Sequence, residues 1–150
     1  MVKALALAAV AWPALLSAAT WQRASGEMGV SAVAVYYAAS HVCHQQPART
    51  FHTADTPWPV CARCAGLYLA APFGALLALG RRRPMRGARF ALALASLPTV
   101  VTIAVEWLDV ASVSNLARFL AALPLGAVVA FVVVRTAAGR PQAIGYTAGS

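Results

Sequence analysis

Four runs of this chain, about residues 4–20, 62–80, 90–108 and 116–135, are apolar almost throughout. Each is close to the roughly 17 to 25 residues that carry an α-helix across a bilayer. The composition agrees: hydrophobic residues make up 61% and charged residues 11%, with a mean hydropathy of +0.69, whereas a soluble domain carries about a quarter charged residues. The expectation is an all-α, polytopic membrane protein with four transmembrane helices and a short interfacial helix, a single membrane domain over residues 1–150. Lys3, the apolar core after it and the small residues Ser17 and Ala19 also describe a cleavable signal peptide. The run extends to Trp21, which favours a retained first helix.

A net charge of +8 on a soluble surface would point to nucleic acid, so the placement of the charge decides its meaning. Arg81, Arg82, Arg83, Arg86 and Arg89 crowd the short connection between the second and third apolar runs. Short loops rich in Lys and Arg stay in the cytoplasm during insertion. Four crossings then leave both termini cytoplasmic, with Lys3, Arg135 and Arg140 on the same basic side and Glu27, Asp55, Glu106 and Asp109 on the other. The charge therefore reads as a topology signal with some affinity for anionic lipid. The partner expected is the bilayer of the cell membrane, and nucleic acid is not expected.

Between the first two crossings the chain turns at "WQRASGEMG" and continues as "VSAVAVYYAAS". Residues 28–42 are too few to span, and they read as the interfacial helix, with Tyr36 and Tyr37 at headgroup level. Residues 45–60 hold Pro47, Pro57 and Pro59, which excludes regular helix and predicts the outer loop. The second and fourth runs share a phrase, "PFGALLA" and "PLGAVVA". It is either a parallel internal repeat or a chance echo of Ala-rich helices, and in both cases Gly74 and Gly126 let neighbouring backbones approach. Ser114 or Asn115 is placed to cap the fourth crossing.

All three cysteines and all three histidines fall within residues 41–64, on the outer face. Cys61 and Cys64 form a C-x-x-C pair at the first turn of the second crossing, where side chains three apart share a face. The helix N-terminus and Arg63 both favour thiolate there. Thiolates so placed have two chemical uses. Zinc in structural sites takes four Cys and His ligands, often with one C-x-x-C half, and the set Cys43, His44, Cys61 and Cys64 meets that need. His41 and His52 stand as substitutes, while Arg63, between the paired cysteines, offsets part of the negative charge. Alternatively the pair holds a disulfide, exchanges it with Cys43 and couples to a quinone, in the manner of quinone-linked thiol-disulfide oxidoreductases. The redox use leaves the histidines without a role, so metal ranks first. The plainer readings are a membrane assembly or binding subunit with a protein partner and no chemistry, or cysteines merely at home in apolar helices.

The stretches "CHQQPARTF", "PVCARCAGLYL" and "SNLARFLAALPLG" resemble a family of small microbial integral-membrane proteins of unknown function. Its signature runs approximately CHQ-x-P-x-R-S-F, then PVCARCTGIY, then S-x-N-x-x-R. The resemblance covers about residues 36–126, with Cys43, His44, Gln45, Arg49, Phe51, Cys61, Arg63, Cys64, Gly66, Tyr68, Asn115 and Arg118 on the pattern. It implies a multi-helix membrane fold and one shared site, in which Arg49 and Arg118 join Arg63 in offsetting the negative charge, and it supplies no activity. Thr50 replaces the usual Ser and keeps the hydroxyl; Ala65 replaces Thr and removes a hydrogen-bonding group.

On that pattern the polar ends of the third and fourth crossings join the cysteines. Arg118 either pairs with Glu106 or Asp109 or extends to the interface. Tyr68 either donates to a sulfur or a quinone or marks the interface, and Arg49 is placed to pair with Asp55. The sequence holds no nucleophile-base-orienter set and no phosphate loop that would suggest hydrolysis.

Overall fold

A computed structural model describes residues 2–27, 29–80 and 87–138. Arg81, Arg82, Arg83, Arg86 and Arg140, on which the expected sidedness partly rests, lie outside them. The elements in chain order are α1 (Val2–Ala24), α2 (Val30–Ser40), a 3-10 turn (Pro47–Arg49), β1 (Thr50–Thr53), β2 (Thr56–Cys61), α3 (Ala62–Gly80), α4 (Ala88–Trp107) and α5 (Asn115–Ala138). The helices α1, α3, α4 and α5, of 23, 19, 20 and 24 residues, are long and apolar enough to cross a membrane. Helix is the form lipid permits for such segments, because it satisfies every backbone group within the segment. Each also contains a proline, at Pro13, Pro72, Pro98 and Pro124, which membrane helices tolerate where neighbours answer the freed carbonyls. Two side-chain bonds lie near these prolines, though not on the carbonyls they free (those of Ala9 and Leu120 for Pro13 and Pro124): Ser17 donates to the carbonyl of Pro13 itself at 2.9 Å, and Thr99 of α4 donates across to the Ala121 carbonyl of α5 at 2.9 Å.

The four long helices alternate in direction. Val2, Leu5, Ala6 and Ala9 at the start of α1 pack with Ala75 and Ala78 near the end of α3 and with Phe131 and Val134 of α5. Trp12 and Leu16, farther along α1, instead meet Val60 and Ala65 at the opposite end. The tightest pair is α3 with α5. A methyl group on Gly66 would overlap the Phe119 carbonyl, one on Gly74 the Ala127 carbonyl, and one on Gly126 the backbone of Leu67. Helix α4 is packed least, with Ala95 its one buried residue.

Residues 45–60, expected only as a non-helical loop, carry more order than that. No α-helix forms there, but beyond the 3-10 turn β1 and β2 form an antiparallel hairpin in which His52 opposes Pro57 and Thr53 opposes Thr56. A two-stranded ribbon has only edge strands, and edges are where proline is accepted in a sheet. The turn is made by Ala54 and Asp55, both with positive φ (45° and 63°), which is the twist that two-residue hairpins require. Tyr36 of α2 donates to the Pro57 carbonyl at 2.7 Å. Val60, Phe51 and Trp58 then seat the hairpin on the bundle's end with Leu16, Ala39, Ala65 and Phe119.

Candidate metal centre

Two chain reversals bring the sulfurs together. Helix α2 closes with the Cys43 N–H on the Ala39 carbonyl at 2.9 Å, which leaves Cys43 buried at the end of the first reversal. The hairpin supplies the second: Cys61 is the last residue of β2 and Cys64 lies in the first turn of α3. The Cys61 N–H donates to the Cys43 sulfur at 3.1 Å. As a result the sulfurs of Cys43, Cys61 and Cys64 all lie within 4.8 Å of one another, and all three residues are free thiols.

Gln45 holds this arrangement in place. Its backbone takes a left-handed conformation, φ 48°, and its side-chain amide donates to the Tyr36 carbonyl at 2.8 Å and the Pro59 carbonyl at 2.9 Å. One side chain thus ties α2 to β2 beside the thiols. Thr50, buried, closes the next loop by donating to the Gln46 carbonyl at 2.7 Å. Asn115 reaches from α5 to the Thr50 carbonyl at 3.1 Å, while its carbonyl oxygen accepts from Arg118 at 2.6 Å. Ser114 caps α5, accepting the Ala117 N–H at 3.2 Å.

Charge joins the three helix ends around the sulfurs. One carboxylate oxygen of Glu106 on α4 accepts from Arg63 of α3 at 2.7 Å, and the other accepts from Arg118 of α5 at 2.6 Å. Glu106, Arg63 and Arg118 are 10%, 18% and 12% exposed, so the trio is largely withdrawn from water. The Cys61 thiol is pulled down to about 5, chiefly by the hydrogen bond from the Cys64 side chain, helped by the Cys64 N–H and the Cys43 side chain and opposed by burial. The neighbouring thiols thus favour the thiolate form of Cys61.

A cleft of about 580 Å³ adjoins the sulfurs, lined by all three cysteines together with His44, Arg49, Arg63, Arg118 and Trp107. The other residues singled out in the sequence lie variously. His44 is exposed on the cleft wall and is not among the clustered ligand atoms. His41 is turned back on α2, its Nδ1 2.9 Å from the Tyr37 carbonyl and its ring edge-on to Tyr37. His52 is exposed on β1. Tyr68 sits edge-on to Trp12 and packs against the cluster that contains Cys43. Arg49 is exposed on the cleft and makes no ion pair with Asp55, the ion pairs among described residues being those of Glu106. Asp109 is exposed and closes α4, three residues beyond the acid that bridges the arginines. Sequence reasoning left Gln45, Thr50 and Trp107 without a role, although the first two lie inside "CHQQPARTF".

No solved structure matches this chain. An uncharacterized protein of Methanothermobacter thermautotrophicus is 33% identical over 87 residues, covering 57% of this chain and 78% of the relative. Residues 43–132 match the family described as predicted membrane protein (DUF2085). The matched segment opens at Cys43 and takes in Cys61, Cys64, Glu106 and Arg118. On that match over more than half its length, the chain belongs to the DUF2085 family of predicted membrane proteins.

Proposed function

We propose that this chain is a multi-pass protein of the cytoplasmic membrane, folded as a single membrane domain, that holds one zinc ion through Cys43, Cys61 and Cys64 on the outer face. The observation that carries the reading is the sulfur cluster itself: three thiols within 4.8 Å, drawn from the end of α2, the end of β2 and the start of α3. Thiolate sulfur is the ligand zinc favours in structural sites. Three thiolates on a divalent ion leave a net negative charge, and Arg63 and Arg118, with Arg49 on the cleft, offset it. The ion would join α2 to α3 across the hairpin, a cross-link between segments that are distant along the chain. Sidedness follows from the basic residues between the second and third crossings, with both termini cytoplasmic.

Metal analysis of the detergent-purified chain tests this. One zinc per chain is expected from the wild type, and less than about a tenth of that from Cys43→Ser, Cys61→Ser or Cys64→Ser, since tetrahedral zinc sites are built on their thiolates. Zinc content unchanged in Cys61→Ser would remove the reading. Thiol trapping without reductant addresses the redox alternative: a Cys61–Cys64 disulfide that turns over with a quinone would put an oxidoreductase in place of the metal site.

A further inference from the structure

We infer that the cleft beside the three sulfurs receives an exogenous oxyanion, a carboxylate or phosphate group, as the fourth ligand of the metal, and that Arg49 recruits it. The inference rests on the zinc reading and names the ligand class for that site.

Zinc is almost always four-coordinate in such sites, and a site with three protein ligands leaves its fourth position to solvent or substrate. Among the described residues the clustered ligand atoms are the three sulfurs, with no histidine nitrogen among them. The cleft adjoins all three, and at about 580 Å³ it has the size of a small-molecule site rather than that of one water.

The walls select the sign of the ligand. Among the described residues, Arg49, Arg63 and Arg118 line the cleft and no Asp or Glu does. Glu106 spends its two oxygens on Arg63 and Arg118, so Arg49 has no carboxylate partner among the described residues. Counting a divalent ion, three thiolates, Glu106 and the three arginines leaves one positive charge uncompensated, which a single monoanionic group balances. Arg63 Nε is, in addition, a buried donor that no acceptor among the described residues answers. A guanidinium fork matches carboxylate and phosphate oxygens in geometry as well as in charge.

Two sources can deliver an oxyanion here, a free small molecule or an anionic lipid headgroup, and one experiment separates them. The full chain is loaded with cobalt(II), whose absorption reports its coordination sphere where zinc is silent. It is then titrated with acetate and with inorganic phosphate in neutral detergent, and separately placed in phosphatidylcholine nanodiscs with and without phosphatidylglycerol. A saturable change in the cobalt bands with acetate or phosphate is expected for a free ligand, and a change only with phosphatidylglycerol for a headgroup. In Arg49→Ala the responding probe should bind at least about tenfold more weakly at undiminished cobalt content, with Arg49→Lys intermediate because it keeps the charge and loses the fork. Stoichiometric cobalt whose spectrum answers none of the probes would overturn the inference alone. So would a spectrum already altered by His44→Ala in the absence of anion, since His44 would then hold the fourth position. A chain that takes up no cobalt would overturn the zinc reading and this inference with it.

Discussion

The thiol-bearing end of the bundle and the crossing of α3 with α5 below it are held by different physics. At the thiol end, polar groups far apart in the chain meet in pairs: Glu106 with Arg63 and Arg118, Asn115 with Thr50, Gln45 with Tyr36 and Pro59. At the crossing, Gly66, Gly74 and Gly126 let backbone touch backbone. Lipid is as apolar as leucine, so helices in a bilayer gain little from apolar side chains meeting and depend on close shape instead. The crossing should therefore resist added volume, and the thiol end should resist loss of a partner.

The sharpest way to break that contrast is Glu106→Ala. It strands two largely buried guanidinium groups, and removing one partner of a buried ion pair costs about 3–5 kcal/mol. Thermal unfolding in detergent should show this as the largest loss of any single substitution away from the cysteines. A loss no greater than that of an exposed residue would mean the arginines find water, and the thiol end would not be held by charge.

A smaller effect is expected at the crossing. Gly74→Ala drives a methyl group into the Ala127 carbonyl, and overpacking of this kind costs about 1–3 kcal/mol. Gly80 is the internal control, because nothing lies within 4 Å of a Cβ built there. Gly80→Ala should be neutral or raise stability by up to about 1 kcal/mol through helix propensity. Equal behaviour of the two variants would remove the close approach from the account.

The thiol end should also show its electrostatics directly. With its thiol at about 5, Cys61 of the metal-free chain should alkylate at a nearly level rate between about pH 6 and pH 8, whereas an ordinary thiol of pKa near 8.5 gains about tenfold per unit there. The lower basicity reduces intrinsic nucleophilicity, so near pH 6 the advantage over an ordinary thiol is roughly five- to tenfold. A rate for Cys61 that climbs steadily to pH 8 would show that Cys64 does not direct its proton there.

The same contrast explains what could be read from the sequence. The four long helices were legible because lipid demands an unbroken apolar run for each, and the runs at 4–20, 62–80, 90–108 and 116–135 lie within α1, α3, α4 and α5 to within about a residue. The convergence of Cys43 on Cys61 and Cys64 was legible from spacing, since a proline-broken segment between them must fold back. The hairpin was not, because Ala54 and Asp55 adopt positive φ without the glycine that usually announces such a turn. Nor was the part played by Gln45, whose reach to two carbonyls depends on a left-handed backbone that the sequence does not display.

Glu106 and Asp109 were indistinguishable as sequence, two acids at the end of one apolar run, and the smallest expected effect tests what separates them. The Asp109 N–H bonds the Glu106 carbonyl at 3.3 Å, the Val110 N–H bonds the Val105 carbonyl at 3.1 Å, and Asp109 has φ 54°. This is the left-handed residue that ends a helix, a position at which glycine is preferred. Its carboxylate is exposed and makes no ion pair among the described residues, so the backbone is what the position uses. Asp109→Gly should therefore be neutral or raise stability by up to about 1 kcal/mol, where Glu106→Gly should cost at least as much as Glu106→Ala. A substantial loss in Asp109→Gly would mean that this carboxylate also serves the thiol end, and the division between a charge that locks three helices and one that merely sits at a turn would have to be redrawn.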